Sequence, residues 1–293
     1  MAELQTSRFS TDIATWLASP DSPDGLEFVW LGQAGFMVKA GGLRIGIDPY
    51  LSNSLGMKYR DAFFPHVRMM QPPCDPSLLR DLDFLFGTHG HTDHMDPGTL
   101  GVIYGSDTEV PLYICPRAEI QKAAERGVPY DSMVTLDADE SWASIGHDGE
   151  RISVTAIASA PEELKTDSHG NHLFLGYVIE MAGFRIYHSG DGIPYEGLGE
   201  HLAALSIDVA FLPVNGRDTY RSENGVPGNF TLDEALGMVD KASIPCLVPH
   251  HFGLFDFNTI DPAIIRRNIP EDGPIVLVPE VSVVFSVTKG GYA

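Results

Sequence analysis

Four clusters of polar residues each follow directly on an apolar, strand-like segment, and this arrangement constrains the fold of the chain most strongly. The clusters are Thr88–Asp96, His188–Asp191, Asn215–Arg217 and His250–His251. Functional groups tend to lie on loops at the carboxyl ends of strands, where a rigid sheet holds them. We therefore expect the four clusters to converge on one edge of a layered α/β fold.

Strand-like and helix-like segments alternate along the chain without a linker or a low-complexity stretch between its halves. Glu27–Leu31, Phe36–Lys39 and Leu43–Asp48 are β-rich, are separated by glycines and predict a meander of strands. Ile275–Val278 and Val281–Val287 predict a terminal pair of strands. This alternation suits two sheets packed face to face, with helices outside.

A chain of 293 residues is long for one average domain, but layered α/β folds reach this size as a single unit. Ser10–Asp12 predicts the cap of a short helix, and a Pro- and Ser-rich linker follows it. We predict an N-terminal extension over residues 1–25 and a single domain over residues 26–293. Half-repeats of about 26–150 and 151–293 build this domain.

The formal charge of −21 disfavours a nucleic-acid partner, because affinity for nucleic acid rests on Lys and Arg neutralising phosphates. Cys74, Cys115 and Cys246 are odd in number and lack CxxC spacing, which fits a reduced, cytoplasmic setting. The chain has no signal-peptide pattern and no run near the roughly 20 apolar residues that cross a bilayer. We expect a cytoplasmic protein that acts on a small molecule. An anionic substrate would need a local basic pocket.

The motif His89-Gly90-His91-Thr92-Asp93-His94 has the residue types and the spacing of a metal site. Imidazole and carboxylate suit Zn²⁺ and related divalent ions. His89 and His91 lie two apart, so on an extended strand end both point toward one ion. Asp93 and His94 follow a chain reversal and can serve a second ion. Chance would produce this pattern in roughly one such chain in a thousand, which favours a metal site over loop histidines in turns. We expect one or two ions, with Zn or Mn favoured and Fe as an alternative.

From about Trp30 onward, the sequence resembles the metallo-β-lactamase superfamily, and more closely its L-ascorbate-6-phosphate lactonase (UlaG-like) branch. The segments that carry the resemblance are Trp30–Phe36, Ile47–Pro49, Thr88–Asp96, Gly176–Glu180, Tyr187–Asp191, Leu212–Asp218 and Val248–His251. The histidine motif is typical of the superfamily, and the later segments point to the branch. The resemblance implies a four-layer αββα sandwich of two mixed sheets with a metal-dependent hydrolase activity.

Carried over residue by residue, the resemblance implies that Asp191 bridges two metals and that His251 is the last ligand. His250 is then a contact to a ligand or to the substrate, although the two histidines can exchange roles. His188 is either a site contact or a core histidine satisfied by hydrogen bonds. These assignments place both His188 and His250 among the predicted substrate contacts.

One position departs from the family pattern. Relatives commonly supply a third histidine to the first metal in a stretch that aligns with Ser159–Glu163, where this chain has Pro161. Proline cannot ligate through its side chain. Glu162 is the nearest replacement as a metal ligand, with an exposed glutamate at a loop start as the alternative. The first metal site is accordingly expected to be weak, altered or empty.

A divalent ion at this site lowers the pKa of bound water toward about 7, so hydroxide can attack an ester or lactone carbonyl at neutral pH. Asp93 or Asp191 is the predicted catalytic carboxylate that orients the nucleophile and moves its proton. Asn215 and Arg217 are predicted to grip a phosphate or carboxylate of the substrate, because guanidinium binds such groups bidentately. A structural salt bridge is the alternative for Arg217.

Three functions remain open from the sequence. The first is a lactonase that acts on a small sugar-acid lactone, the second a phosphodiesterase or phospholipase-like hydrolase, and the third a degenerate, non-catalytic metal-binding protein. A long loop over residues 50–76 contains the basic residues Lys58, Arg60, His66 and Arg68. Since loops of this length are usually functional, we expect it to cover the site or to form a subunit contact in a homo-oligomer.

Overall fold

The structure, a computed structural model, describes residues 4–106 and 109–290. In chain order its strands are β1 (Leu4–Ser10), β2 (Gly25–Gly32), β3 (Gly35–Ala40), β4 (Leu43–Ile47), β5 (Phe84–Phe86), β6 (Leu112–Pro116), β7 (Met133–Leu136), β8 (Ser141–Ile145), β9 (Arg151–Ala158), β10 (Leu175–Met181), β11 (Phe184–His188), β12 (Val209–Pro213), β13 (Cys246–His250), β14 (Ile275–Val276) and β15 (Val283–Lys289). The α-helices are α1 (Ile13–Ala18), α2 (Ser54–Lys58), α3 (Pro97–Tyr104), α4 (Ile120–Glu125), α5 (Leu198–Ala204), α6 (Thr219–Glu223), α7 (Leu232–Lys241) and α8 (Pro262–Arg267). Short 3-10 helices lie at Pro76–Asp81, Arg117–Glu119 and Tyr130–Ser132.

The strands form two mixed sheets. The first has the order β1-β15-β2-β3-β4-β5-β6-β7, and the second has the order β14-β13-β12-β11-β10-β9-β8. The predicted meander is confirmed, since β2, β3 and β4 pair as antiparallel neighbours. The two predicted terminal strands are present as β14 and β15, but they lie in different sheets. β14 pairs with β13 in the second sheet, whereas β15 lies between β1 and β2 in the first.

The two sheets pack face to face, with helices on their outer faces. Strand β2 shows why its residues are all buried: Leu26, Phe28 and Trp30 face the core between the sheets, whereas Val29 and Leu31 face a second core under the helices. Side chains alternate between the two faces of a strand, so a strand covered on both faces is apolar at successive positions. This arrangement is the predicted four-layer αββα sandwich.

The N-terminal segment packs onto the first sheet. The side chain of Asp12 accepts a hydrogen bond from the backbone N of Thr15 (2.8 Å) and caps α1, which confirms the predicted helix. The indole of Trp16, buried in α1, donates to Glu27 Oε2 (2.9 Å) on β2. Strand β1 pairs with β15 and was not predicted, because all its residues except Leu4 are exposed. In the described part of the chain, no helix has the length and apolar character needed to cross a bilayer.

Parallel strands bring the polar clusters to one edge of the sandwich. β4 and β5 are parallel neighbours in the first sheet, and β11, β12 and β13 are parallel neighbours in the second. Their carboxyl ends meet where His94, after β5, lies 3.2 Å from Asp191, after β11. The site therefore lies between loops from both sheets.

Candidate metal centre

The histidine motif occupies the loop between β5 and α3, and Asp96 fixes the end of that loop. The Asp96 carboxylate accepts hydrogen bonds from the backbone N of Gly98 (3.1 Å) and of Thr99 (3.2 Å), so it caps α3. Pro97 begins the helix at a position where no backbone donor is needed. The chain turns from strand to helix over residues 87–96, and this turn brings the motif side chains together.

Arg126, at the end of α4, ties the motif loop together from behind. Its guanidinium donates to the backbone carbonyls of Gly90 (3.0 Å) and His91 (3.3 Å), and also to that of Met95. A planar guanidinium can serve several acceptors at once, which holds the loop in one shape. This role could not be predicted from the sequence, since nothing local links Arg126 to the motif.

Six of the predicted ligands form two groups, in each of which the candidate ligand atoms lie within 4.8 Å of one another. The first group is His89, His91 and Asp191, and the second is Asp93, His94 and His251. Asp191 joins them. Its Oδ2 lies 3.8 Å from His89 Nε2, while its Oδ1 lies 3.2 Å from Nε2 of His94 and 3.2 Å from Nε2 of His251. A carboxylate in this position would contact ions held by either group.

The ring nitrogens of the centre are buried and short of partners. His89 is 1% exposed, and its Nε2 has no hydrogen-bond partner within the described residues. A buried polar atom without a partner costs free energy, and a bound cation would remove that cost. Imidazole and carboxylate together suit Zn²⁺, Mn²⁺ or Fe²⁺. The residues present therefore fit divalent ions.

Burial and neighbouring charges set the protonation of the centre. Burial, helped by His94, lowers the pKa of His89 well below its usual value, so this ring is a neutral lone-pair donor. Burial alone would raise the pKa of Asp191, but the imidazoles of His251 and His94 outweigh it and hold the pKa well below its usual range. The pKa of Asp93 is lowered in the same way, against burial, by His94 and His251. Both carboxylates are therefore ionised.

Asp48, at the end of β4, orients His94 from behind. Its Oδ2 lies 2.6 Å from His94 Nδ1, and its Oδ1 accepts from the backbone N of Thr88 (2.8 Å). With Nδ1 bound to Asp48, the Nε2 of His94 is directed at the centre. Burial alone would lower the pKa of His94, but Asp191, Asp48 and Asp93 raise it well above its usual value. Asp48 was not a predicted site residue, although its place at the end of the strand beside β5 is a signal for it.

Two buried amides orient the carboxylates of the centre. Gln33 is fully buried, and its Nε2 donates to Asp93 Oδ2 (3.0 Å). Asn229 Nδ2 donates to Asp191 Oδ1 (3.2 Å) and to Asn215 Oδ1 (3.1 Å). Asn215, a predicted substrate contact, is therefore a buried support behind Asp191, and we correct that prediction. Asn229 was missed because its loop has no strand pattern.

The structure distinguishes the two adjacent histidines at the end of β13. His251 adopts a left-handed backbone conformation (φ 64°) that turns its ring into the second group. His250 is the last residue of the strand, is fully buried and stacks on His188 at 4.7 Å between ring centroids. His188 donates from Nε2 to Ala34 O (2.9 Å) and accepts at Nδ1 from Gly190 N (3.1 Å). The predicted substrate contacts of His188 and His250 are therefore wrong, because both side chains point into the core.

Glu162 and Arg217 lie away from both ligand groups. Glu162 is exposed, and its Oε1 accepts a hydrogen bond from Ser222 Oγ (2.8 Å). Arg217 donates two hydrogen bonds of 2.6 Å, from Nη1 and Nη2, to the carboxylate of Glu234. These are the nitrogens that were predicted to bind an anionic group of the substrate. We correct both predictions: in this structure Glu162 is an exposed glutamate, and Arg217 forms a structural salt bridge.

A cleft of about 390 Å³ opens above the two groups. Its floor contains His91, Thr92, Asp93, Asp191 and His251. One wall is the loop over residues 50–76, which contributes Leu55, Lys58, Tyr59, Ala62, Phe63, Phe64 and His66. The other lining residues are Gly90, Lys122, Arg126, residues 224–227, Phe255, Phe257 and Asn258, and Phe257 stacks on Phe64 of that loop. The long loop therefore covers the site, which was one of its two predicted roles.

A comparison with known protein families assigns the chain to a superfamily. A family model described as a beta-lactamase superfamily domain matches residues 44–252, and the chain belongs to that superfamily. Within it, relatives of two kinds place the chain on the UlaG-like branch, as the sequence motifs predicted.

A metal-dependent hydrolase (UPF0173) of Myxococcus xanthus is 28% identical over 239 residues, which are 78% of this chain and 71% of that protein. A probable L-ascorbate-6-phosphate lactonase UlaG of Escherichia fergusonii is 21% identical over 271 residues, which are 84% of this chain and 74% of that protein. Among solved structures, the metallo hydrolase Igni18 of Ignicoccus hospitalis has the same fold, with a TM-score of 0.61 at 18% identity over 89% of this chain and 98% of that one. The chain is thus a metal-dependent hydrolase of the superfamily.

Proposed function

We propose that this chain hydrolyses the carbonyl–oxygen bond of a small lactone or ester. The observation that supports the proposal most is Asp191, whose two oxygens face separate ligand groups at the floor of a cleft. Divalent ions held there would polarise a carbonyl and lower the pKa of water toward about 7. An attacking water and a substrate carbonyl would then meet at the same end of the cleft.

The residues of the chain have separate roles in this proposal. His89 and His91 would hold one ion with Asp191, and the second group would hold the other. Asp93 lines the floor of the cleft, where Gln33 fixes one of its oxygens. Because the pKa of Asp93 lies below its usual value, this carboxylate is ionised and would orient the attacking water by accepting a hydrogen bond from it. The proton of that water would be transferred to the oxygen that leaves when the carbonyl–oxygen bond breaks.

Similarity to the L-ascorbate-6-phosphate lactonases makes a sugar-acid lactone the first substrate to assay. The predicted anion grip at Arg217 is absent from the cleft, so another cation has to serve an anionic group. Lys122 is paired with Glu119 (2.6 Å), and Arg126 is bound to carbonyls of the motif loop. Lys58, exposed at the cleft above the ring of Tyr59 (4.8 Å), is the cation that we assign to this contact.

The same pair of groups would also clamp a phosphoryl group, so a phosphodiesterase or phospholipase-like activity is the alternative hydrolase. A protein that binds metal without catalysis is the third function. The experiment that separates them begins with metal analysis of protein purified without added metal. Turnover of matched lactones, linear esters and phosphodiesters is then measured before chelation, after chelation and after Zn²⁺ or Mn²⁺ is restored.

We expect at least one equivalent of metal, together with hydrolysis of lactones or esters that chelation abolishes and metal restores. Arg217→Ala should leave the KM for anionic lactones unchanged, whereas Lys58→Ala should raise it. Preferential turnover of phosphodiesters would favour the alternative. Full turnover of lactones by metal-free protein, or metal binding with no turnover of any ester class, would contradict the proposal.

A further inference from the structure

The cleft has one strongly aromatic side, which we call the aromatic wall. Its members are Tyr59, Phe63, Phe64, Tyr220 and Phe257. Phe64 stacks on Phe257 (4.8 Å between ring centroids, 15° between planes). Tyr220, on α6, is not among the residues that line the cleft, but its ring centroid lies 6.1 Å from that of Phe63 and 5.8 Å from that of Phe64. The wall therefore begins with rings that line the cleft and continues to Tyr220 beside them.

The outer end of the aromatic wall is exposed to solvent. Phe63 is 67% exposed and Tyr220 is 59% exposed, although their rings lie side by side. Single exposed apolar residues are common on protein surfaces, but adjoining rings at the mouth of a cleft form a contiguous patch, and such patches often mark a binding site. The aromatic wall is thus available to a ligand that enters the cleft.

Two polar side chains on this side of the cleft, His66 and Asn258, already have hydrogen-bond partners. His66, packed between the aromatic rings, directs Nδ1 to Phe64 O (2.9 Å). Asn258 Oδ1 accepts from Asn215 Nδ2 (2.7 Å) and from Arg221 Nη1 (2.9 Å). A polyhydroxylated substrate needs free donors and acceptors along its length, whereas an apolar group needs only surface to cover.

We infer that the substrate carries an alkyl or aryl arm that lies against the aromatic wall while its ester or lactone carbonyl faces Asp93 and Asp191. This inference rests on the proposed function and adds the substrate class. The ligand groups close the floor of the cleft, and its volume of about 390 Å³ suits a small molecule. The occupant is therefore a lactone or ester of low molecular mass that carries an apolar arm, since a sugar lactone would leave the wall uncovered.

The test uses the metal-loaded protein and γ-lactones that differ only in the length of an alkyl side chain. We expect kcat/KM to rise by up to about fourfold for each methylene over the first few carbons, as burial of apolar groups predicts. A sugar γ-lactone should be the poorest substrate. Phe63→Ala and Tyr220→Ala should each flatten the dependence of kcat/KM on chain length.

Two matched controls carry the same substitutions away from the cleft. Phe9→Ala in β1 and Tyr130→Ala replace rings that are 47% and 58% exposed, and neither lines the cleft. Both variants should keep the full dependence on chain length. If they flatten it as much as Phe63→Ala does, the effect is not local to the aromatic wall and the inference is wrong.

A binding measurement separates this inference from the proposed function. Calorimetry with linear alkanoates of increasing length and with gluconate requires no turnover. Affinity that rises with chain length in the parent protein but not in Phe63→Ala supports the aromatic wall even if no lactone is hydrolysed. Lactone turnover with no dependence on chain length in either assay would overturn the inference and leave the proposed function standing. The inference would also be overturned if Phe63→Ala converts a dimer to a monomer without changing alkanoate affinity, since the aromatic wall would then be a contact between copies.

Discussion

Asp48 should control metal affinity although it belongs to neither ligand group. The substitution Asp48→Asn keeps the size of the side chain and replaces one acceptor oxygen with an amide donor. Asp48 Oδ1 accepts from the backbone N of Thr88 (2.8 Å). Asp48 Oδ2 accepts from Thr88 Oγ1 (2.6 Å) and lies 2.6 Å from His94 Nδ1, so both oxygens of the carboxylate are used. An amide in its place leaves one of these donors without an acceptor.

The expected loss follows from the burial of this pair. Both side chains are fully buried, so water cannot replace the lost acceptor. Residues that orient a metal-binding histidine typically contribute about 10- to 100-fold in affinity, or about 1.4–2.7 kcal/mol. We expect Asp48→Asn to weaken binding at the second group within this range. The metal-free protein should also lose about 1–3 kcal/mol in free energy of unfolding, because a buried donor is left unpaired.

Asp83→Asn is the matched control. Asp83 is another buried aspartate, and it lies at the opposite end of the same two strands, where its carboxylate accepts from the backbone N of Arg44 (2.8 Å) and of His147 (2.6 Å). It should cost a similar free energy of unfolding and leave metal affinity unchanged. Competition with a chromophoric chelator measures the affinity, and urea titration of metal-free protein measures the stability. Equal metal affinities in Asp48→Asn and Asp83→Asn would refute the orienting role of Asp48.

Three further substitutions test the centre and its support. Asp191→Asn should remove metal and reduce hydrolysis more than about 100-fold while keeping the fold, since both groups share this carboxylate; metal analysis and turnover check it. Arg126→Lys should weaken metal binding about tenfold, because an ammonium cannot serve all three carbonyls of the motif loop, and chelator competition measures this. Glu162→Gln should change neither metal content nor rate beyond about twofold, because this exposed carboxylate contacts Ser222 rather than the centre. A normal rate in Asp191→Asn, or metal loss in Glu162→Gln, would contradict the assigned ligand groups.

Local pattern was enough to predict most of the fold. The meander of β2 to β4 and the α1 cap at Asp12 depend on neighbouring residues, which the sequence displays directly. The terminal strands depend on more distant partners. β15 fills the gap between β1 and β2 in the first sheet, and nothing in Val281–Val287 distinguishes that place from a hairpin with β14. Strand β1 is detectable only from its pairing, since it has no apolar alternation.

The site shows the same division between local and distant information. The spacing of the histidine motif identified His89 to His94, because those ligands come from one turn of the chain. Asp48 and Asn229 reach the centre only through neighbouring strands and loops, so their positions depend on the tertiary structure. His250 was misassigned because a place at a strand end does not determine which face the side chain occupies. One backbone angle at His251 separates the ligand from the core residue.

The segment around Pro161 is where the family resemblance predicted a third histidine ligand, and in this chain its residues make hydrogen bonds to the loop after β11. Ser159 Oγ donates to the backbone carbonyl of Asp191 (2.7 Å), and the backbone N of Ile193 donates to Ala160 O (2.7 Å). The segment therefore holds the backbone of Asp191 and Ile193 in place. The first group is left with two imidazoles and its share of Asp191, whereas the second has three ligands of its own besides Asp191.

Unequal donor sets predict unequal affinities. A catalytic zinc normally keeps three protein ligands plus water, so the second group should fill first and the first group only at higher metal concentration. Calorimetric titration of metal-free protein with Zn²⁺ or Mn²⁺ should resolve two steps. His91→Gln should remove the weaker step alone, while His251→Gln should remove the tighter one. A single step with two equal sites, or loss of the tighter step in His91→Gln, would show that the first group has a ligand besides His89, His91 and Asp191.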